Sequence, residues 1–114
     1  HERARLVRYP GLPSHPQYDL ACSQMDGFGG VVTFQLDGDL GAVGKVLEKL
    51  RVFTMAESLG GVESLAGHPA TMSHSNIPAE QRQKLGIHDN LIRFSVGIEN
   101  VDDLIADLDQ ALAT

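Results

Sequence analysis

Strand and helix alternate along this chain around one segment, Val31-Val32-Thr33-Phe34-Gln35-Leu36, whose β-branched and aromatic residues predict a strand. The turn residues Asp37-Gly38-Asp39 follow it. Beyond this turn, apolar residues recur at helical spacing and predict a helix that ends at Arg51. These residues are Leu40, Val43, Val46, Leu47 and Leu50. The segment therefore predicts a strand, a tight turn and an amphipathic helix in succession.

The residues on both sides of this unit continue the same alternation. Strands are predicted at residues 6–9, 52–55 and 91–96, helices at 15–25 and 79–85, and an optional strand within the mixed residues 63–72. Asn100 caps a final helix. Its predicted apolar stripe is Val101, Leu104, Ile105, Leu108 and Leu112. The order β-α-β-α-β-(β)-α-β-α predicts an α+β fold, a small, largely antiparallel sheet with helices packed on one face.

The composition is that of one globular domain of 114 residues, with 42 % apolar and 21 % charged residues. Nine Lys and Arg against fifteen Asp and Glu give a net charge of −6 without a basic stripe, so we expect no nucleic-acid partner. No apolar run reaches the ~18–20 residues of a membrane span, so we expect neither a membrane partner nor a secretory signal. The single cysteine, Cys22, excludes an internal disulfide and fits a reducing, cytoplasmic location. Its place beside Ala21 in a predicted helix indicates a packed small residue.

Two polar side chains stand in otherwise apolar or glycine-rich runs. Ser58 offers a hydroxyl ahead of the Gly60-Gly61 bend, and Arg93 offers a planar guanidinium inside the predicted strand 91–96. An unpaired buried charge is costly, so Arg93 requires a partner, and a guanidinium matches a carboxylate bidentately. The structural alternatives stay open, with Ser58 as a turn cap and Arg93 in an ion pair with an acid of this chain. The candidate acids are Glu57, Glu63 and Glu99.

Several common catalytic and metal-binding patterns do not occur in the sequence. There is no phosphate-binding G-x-x-x-x-G-K-[ST] motif, and Gly27-Phe28-Gly29-Gly30 lacks the dinucleotide-binding spacing and indicates a structural turn. His68 and His74 have no third ligand in a matching frame, so no metal site is predicted. The lysines lie on predicted helices beside charged residues, which indicates solvated side chains. They are Lys45, Lys49 and Lys84. We therefore predict no catalytic residue in this chain.

Four stretches of the sequence carry a further signal. They are Tyr9-Pro10-Gly11-Leu12-Pro13-Ser14-His15-Pro16, Phe53-Thr54-Met55-Ala56-Glu57-Ser58-Leu59-Gly60-Gly61-Val62-Glu63-Ser64-Leu65, Pro69-Ala70-Thr71-Met72-Ser73-His74 and Ile92-Arg93-Phe94-Ser95-Val96-Gly97-Ile98-Glu99. Together they resemble the C-terminal domain of the Cys/Met-metabolism pyridoxal-phosphate enzymes. That family contains the cystathionine γ-synthases, γ-lyases and β-lyases and has the fold of aspartate aminotransferase, fold type I. The resemblance covers nearly the whole chain.

The resemblance implies a division of labour between two domains. In this family a large N-terminal domain holds pyridoxal 5'-phosphate and the lysine that binds it, and a C-terminal domain helps to close the substrate site. We therefore expect residues 1–114 to be the substrate-closing domain, with the cofactor-binding domain outside this chain and the chain alone inactive. The opening residues His1-Glu2-Arg3, in place of a Met, fit this expectation of a cut-down domain.

The resemblance also assigns roles to four positions of this sequence. Ser58 matches the serine of the family's S-L-G-G motif and Arg93 the arginine of its R-x-S-x-G motif, and both hold the α-carboxylate of the substrate in relatives. Glu57 matches a position that faces the distal part of the substrate, which is commonly acidic in the synthases and γ-lyases. Ser73 lies in a segment near the entrance of the site. The implied substrates are O-acylhomoserine, cysteine and cystathionine, and the implied assembly is a homotetramer.

Two hypotheses of different class follow from the sequence. The first is a transsulfuration enzyme, a cystathionine γ-synthase before a cystathionine γ-lyase, which the shared motifs do not separate. The second is a stand-alone amino-acid-binding regulatory module in which Arg93 grips a carboxylate.

Overall fold

The computed structural model describes residues 1–113, in which it shows five strands and four helices. The strands are β1 (Ala4–Arg8), β2 (Val31–Leu36), β3 (Thr54–Met55), β4 (Leu65–Gly67) and β5 (Leu91–Ser95). The helices are α1 (Tyr18–Gln24), α2 (Leu40–Lys49), α3 (Ala79–Lys84) and α4 (Val101–Leu112). The predicted order is confirmed, and the optional strand of residues 63–72 is β4.

The strands form one sheet in the order β1-β2-β5-β4-β3. The pairs β1–β2, β2–β5 and β4–β5 are antiparallel, and only the short β3 runs parallel to its neighbour β4. In the centre of the sheet, Phe34 of β2 lies opposite Ile92 of β5, and Thr33 lies opposite Arg93. The predicted α+β fold with a largely antiparallel sheet is therefore confirmed.

The hydrophobic core lies between one face of the sheet and the two longer helices, α2 and α4. Aromatic rings fill its centre, with ring centroids 5.4 Å apart for Phe34 and Phe94 and 4.7 Å apart for Phe53 and Phe94. The buried core residues are Phe34, Leu36, Val43, Val46, Phe53, Ala66, Ile92, Phe94, Leu104, Ala111 and Leu112. Each buried aromatic ring removes a large apolar area from water. Burial of apolar area is the main favourable contribution to the packing of helices on a sheet. Helices on one face of the sheet are thus confirmed for α2 and α4.

The alternation of side chains along β5 sends Arg93 to the other face of the sheet. Because Ile92 and Phe94 face the core, Arg93 between them faces away from α2 and α4. Its neighbours across the strands are Thr33 of β2 and Gly67 of β4. The fold therefore places the cation on the face that the two core helices do not cover.

The environment of Cys22 corrects one prediction. Its thiol is exposed, whereas the sequence indicated a packed residue. The helix α1 buries only Ala21 and begins at Tyr18 instead of residue 15. Tyr18 stacks on Phe28 and makes α1 part of a small aromatic cluster at the edge of the domain. A helix with one buried residue has too narrow an apolar face to enclose Cys22.

The buried face of α4 also differs from the predicted stripe. Val101 and Ile105 are exposed, at 64 % and 52 %, whereas Asp107 and Ala111 are buried. The Asp107 carboxylate accepts hydrogen bonds from the backbone N–H groups of residues 51–53. Val101 and Ile105 lie on the other side of the helix from Asp107 and are in solvent.

Candidate functional site

Arg93 is a half-buried cation without an acidic partner among residues 1–113. Its Nη2 donates a hydrogen bond of 2.8 Å to the backbone carbonyl oxygen of Glu57. The two ion pairs in the described residues are Arg5–Asp37 and Arg82–Asp89. The alternative of an ion pair within the chain is therefore wrong for Arg93. A guanidinium has five N–H donors, so the fork retains the capacity to bind an external carboxylate bidentately.

Glu99, one of the three acids considered as a partner for Arg93, is held elsewhere. Its Oε2 accepts the backbone N–H of Ser64 at 2.9 Å, and its Oε1 accepts the Ser64 hydroxyl at 2.7 Å. These two hydrogen bonds, the backbone one foremost, hold the pKa of the Glu99 carboxyl below its ordinary value. Glu99 is therefore a structural acid that fixes Ser64.

The residues between β3 and β4 form a surface loop, here called the 57–64 loop. In space this loop lies beside the carboxyl end of β5. The backbone N–H of Gly60 donates to the Oγ of Ser95 at 2.7 Å. Further along, the N–H of Ile98 donates to the carbonyl oxygen of Val62 at 2.9 Å. The loop is thus bonded to β5 and its continuation at several successive points, beginning with the contact between Arg93 and Glu57.

Gly97 explains why the chain after β5 approaches this loop so closely. A Cβ atom at residue 97 would lie 2.1 Å from the carbonyl oxygen of Val62, which no side chain tolerates. Its backbone N–H donates to the Ser64 hydroxyl at 2.8 Å. The glycine of the R-x-S-x-G stretch is therefore required by packing of two backbone segments.

Ser58 is exposed on the 57–64 loop, one residue after the carbonyl group that binds Arg93. Within residues 1–113 its hydroxyl makes no hydrogen bond that would cap a turn, so the turn-cap alternative finds no support there. The structure brings Ser58 and Arg93 to the same loop–strand junction, as the carboxylate hypothesis requires. Their joint role in binding stays a prediction.

Glu57 and Ser73 differ in their relation to this junction. Glu57 contributes its carbonyl oxygen to Arg93, while its carboxylate is in solvent and, within the described chain, has no ion pair with Arg51. The Oγ of Ser73 lies 2.7 Å from Nδ1 of His74 in the turns after β4. No hydrogen bond or ion pair among residues 1–113 links Ser73 to Arg93. The structure therefore joins Glu57 to the junction and gives Ser73 no link to it.

Asp107 of α4 is a buried acid that the sequence analysis did not predict. It is 4 % exposed, and its two oxygens accept the N–H groups of Arg51, Val52 and Phe53 at 2.8, 2.8 and 3.0 Å. Burial by itself raises the pKa of Asp107, but these bonds and one from Gln110 outweigh it and leave the pKa below the ordinary value. A signal was present, since Asp107 lies three residues after buried Leu104 and four before buried Ala111. An acid at those spacings from two core residues faces the core.

His68 is a second buried polar residue, at 3 % exposure. Its Nδ1 lies 2.7 Å from the Thr71 hydroxyl and its Nε2 lies 2.6 Å from the carbonyl oxygen of Asp89. Nε2 thus ties the end of β4 to the turn before β5, while Nδ1 is occupied within the turn that follows β4. In the part of the chain that the structure describes, no group of three or more His, Cys, Asp or Glu residues could hold a metal ion.

Comparison with known proteins identifies the family. The model of the family described as "Cys/Met metabolism PLP-dependent enzyme" matches residues 1–113. The chain belongs to this family. It is 56 % identical over 112 residues to cystathionine beta-lyase of Coxiella burnetii, and 53 % identical over 112 residues to cystathionine gamma-lyase of Dictyostelium discoideum. These matches cover 98 % of this chain and 29 % of each relative.

A solved structure agrees with the sequence matches. The cystathionine gamma synthase of Xanthomonas oryzae pv. oryzae, in complex with aminoacrylate and cysteine, superposes with a TM-score of 0.94 at 48 % identity. The match covers 99 % of this chain and 29 % of the synthase. The resemblance stated from the sequence is therefore confirmed, as is the relation to fold-type I enzymes. The chain spans less than a third of the length of these relatives.

The family is dependent on pyridoxal phosphate, so the lysines of this chain bear on whether it holds that group itself. All three are exposed on helices, Lys45 and Lys49 on α2 and Lys84 on α3. The helix α2 packs on the sheet face opposite Arg93. The residues described thus fit the binding of a carboxylate and do not by themselves form a pyridoxal-phosphate site.

None of the helices in residues 1–113 is long and apolar enough to cross a membrane.

Proposed function

We propose that this chain is the C-terminal, substrate-closing domain of a pyridoxal-phosphate-dependent transsulfuration enzyme. The observation that carries the proposal is Arg93, whose guanidinium is held by one backbone carbonyl group and has no carboxylate partner among residues 1–113. A half-buried cation on the sheet face opposite to α2 and α4 is suited to an acid that arrives with the substrate. The α-carboxylate of an amino acid is such an acid.

The proposed binding contacts use two groups of different character. Arg93 supplies charge and a planar fork, which sets the plane of the bound carboxylate. Ser58 supplies a neutral hydroxyl from the adjoining loop, exposed and able to donate to the same carboxylate. A carboxylate fixed by both groups has a defined orientation about its Cα. This chain would therefore contribute to catalysis by positioning the substrate.

Pyridoxal phosphate, bound by a domain outside these residues, would supply the electron sink for reactions at Cα. Within this chain Glu57 lies beside Ser58, with its carboxylate in solvent. Because an acid repels the α-carboxylate, we assign Glu57 to the distal part of the substrate, where it favours a distal ammonium group or a polarised leaving group. Ser73 is proposed for the entrance of the site.

Among members of the family we propose a cystathionine γ-synthase, in which the cysteine sulfur bonds to Cγ of an O-acylhomoserine and the acyloxy group leaves as a carboxylate. The structural agreement with a cystathionine gamma synthase supports this choice, and the acidic Glu57 fits the synthases and the γ-lyases alike. Cystathionine γ-lyase is the second candidate, since a γ-lyase relative is 53 % identical. A homotetramer in the cytoplasm remains the predicted setting.

The test uses the complete enzyme, expressed from the reading frame that contains this sequence. A frame that continues upstream of His1 into a pyridoxal-phosphate domain supports the domain assignment, and a frame that begins near His1 contradicts it. The purified enzyme is then given an O-acylhomoserine with cysteine, and separately cystathionine. Formation of cystathionine supports the synthase. Release of cysteine and 2-oxobutanoate from cystathionine, without cystathionine synthesis, supports the γ-lyase instead.

A further inference from the structure

Ser95 is a buried hydroxyl group on the strand that carries Arg93. It lies two residues after Arg93 in β5 and hence on the same side of the sheet. Only 2 % of its surface is exposed. Its Oγ accepts a hydrogen bond of 2.7 Å from the backbone N–H of Gly60. This bond joins the strand of Arg93 to the loop of Ser58.

The 57–64 loop has little packing to define its position near Ser58. Residues 57–63 are all exposed. Gly60 has a φ of +81°, a backbone conformation that glycine adopts far more readily than other residues. Since neither Gly60 nor Gly61 has a side chain to pack, backbone hydrogen bonds must fix this part of the loop.

The other attachments of the loop lie on either side of that point. At its start, the Glu57 carbonyl group binds Arg93. At its end, Val62 binds the N–H of Ile98, and Ser64 is held by Glu99. The bond from Gly60 to Ser95 is therefore the attachment that follows Ser58 most closely along the chain.

We propose that Ser95 is a positioning residue for the carboxylate-binding site. By holding the N–H of Gly60, it fixes the loop so that the Ser58 hydroxyl acts on the same carboxylate as Arg93. The inference rests on the proposed function, because it presupposes that Ser58 and Arg93 bind the substrate carboxylate. Ser95 itself touches no substrate and acts through the 57–64 loop.

The experiment measures the inhibition constants of norvaline and butylamine with the complete enzyme. Butylamine is norvaline without its carboxylate. Ser95→Ala removes the acceptor and adds no bulk. We expect it to raise the inhibition constant of norvaline by about 3- to 10-fold, the effect of one lost hydrogen bond, and that of butylamine by less than about 2-fold. In a Ser58→Ala background, most of the norvaline effect of Ser95→Ala should vanish. Hydrogen exchange by mass spectrometry should become faster in the peptide that covers residues 57–64.

Ser23→Ala is the matched control, because in residues 1–113 the Ser23 hydroxyl bonds within α1, to the carbonyl oxygen of Leu20. It should change neither inhibitor nor the exchange of the loop. An unchanged norvaline constant in Ser95→Ala, in an enzyme where Arg93→Ala does weaken norvaline, overturns the positioning role and leaves the carboxylate site intact. If Arg93→Ala also leaves norvaline unaffected, the proposed carboxylate site is itself wrong. If Ser95→Ala does not fold, hydrogen exchange of the wild-type enzyme tests the proposal. Amides that exchange without protection throughout residues 57–64 would contradict a loop held by Ser95.

Discussion

Arg93 binds the backbone of Glu57, through a hydrogen bond of 2.8 Å from its Nη2 to the carbonyl oxygen, and leaves the carboxylate of that residue in solvent. A carbonyl group orients a guanidinium without cancelling its charge. An ion pair would do the opposite, since it would satisfy the cation and weaken its attraction for a second acid. The contact therefore keeps the Arg93 fork both fixed and electrostatically available on the sheet face opposite to α2 and α4.

The first prediction concerns the charge of Arg93. In the complete enzyme, Arg93→Ala should lower kcat/KM by roughly 10²–10⁴-fold, because the substrate carboxylate would lose its charged partner. Arg93→Lys should restore only part of this loss, since a point charge replaces a bidentate fork. Steady-state kinetics with each substrate measure both effects. Arg5→Ala is the control, because Arg5 pairs with Asp37 on the surface, and near-normal kinetics for Arg93→Ala would show that Arg93 is structural.

The second prediction concerns selectivity at Glu57. Replacement of Glu57 by an aromatic or aliphatic residue should shift the ratio of α,β- to α,γ-elimination and change the KM for cystathionine. The backbone contact to Arg93 uses only the Glu57 carbonyl group, so it should persist in these variants. Product analysis with cystathionine, which can undergo both eliminations, measures the ratio, while cysteine reports α,β-elimination alone and an O-acylhomoserine α,γ-elimination alone. If the ratio with cystathionine and the rates with the other two substrates match those of the unmodified enzyme, Glu57 has no role in selectivity. Glu63→Ala, on the same exposed loop, is the control.

The sheet and its orientation were predictable from the sequence because both depend on local patterns. The run from Val31 to Leu36 became a strand with the predicted bounds, and strand alternation alone placed Arg93 opposite to Ile92 and Phe94. Such patterns specify which face of a strand or helix is apolar, and that face then packs against the apolar face of another element. The cost of an unpaired buried charge separately indicated that Arg93 requires a partner.

The contacts that shape the site were not predictable in this way because they join residues far apart in sequence. Glu99 was a candidate partner of Arg93, yet it binds Ser64, 35 residues away. Asp107 accepts hydrogen bonds from the N–H groups of residues 54 to 56 positions earlier, and Ile105, on the other side of α4, is exposed. A hydrogen bond to a backbone group has no side-chain signature at the other end. Tertiary structure is needed to see it.

The third prediction concerns the cofactor. If the 114-residue chain is mixed with pyridoxal phosphate and reduced with borohydride, no single lysine should be labelled stoichiometrically. The reason is that all three lysines are exposed and hydrated, without the desolvated setting that activates a lysine nucleophile. Peptide mapping by mass spectrometry measures the label on each lysine. One equivalent on Lys45, Lys49 or Lys84 would contradict the assignment of the cofactor to another domain.

The fourth prediction concerns the stability that Asp107 contributes. Asp107→Asn should lower the free energy of unfolding by about 2–4 kcal/mol, since an amide NH₂ would face a backbone N–H and leave buried donors unpaired. Urea unfolding of the chain measures the change. Asp109→Asn is the matched control on the same helix, because Asp109 is exposed, and it should shift stability by less than about 0.5 kcal/mol. Equal stabilities of the two variants would show that the three bonds to Asp107 add nothing.

The last prediction is the pH dependence that the lowered pKa values of Asp107 and Glu99 impose. In the unfolded chain these carboxyls regain their ordinary pKa values of 3.8 and 4.5, so below neutral pH the unfolded state takes up protons before the folded state does. By linkage, the stabilisation is complete above the ordinary values and is lost as the pH falls through the lowered folded values. Urea midpoints should therefore be flat from pH 7 to about 5 and then fall steadily toward pH 3. Asp107→Asn should flatten part of that fall, because it removes one of the two titrating groups. A wild-type chain whose midpoint stays constant down to pH 3 would contradict the hydrogen bonding of both carboxylates.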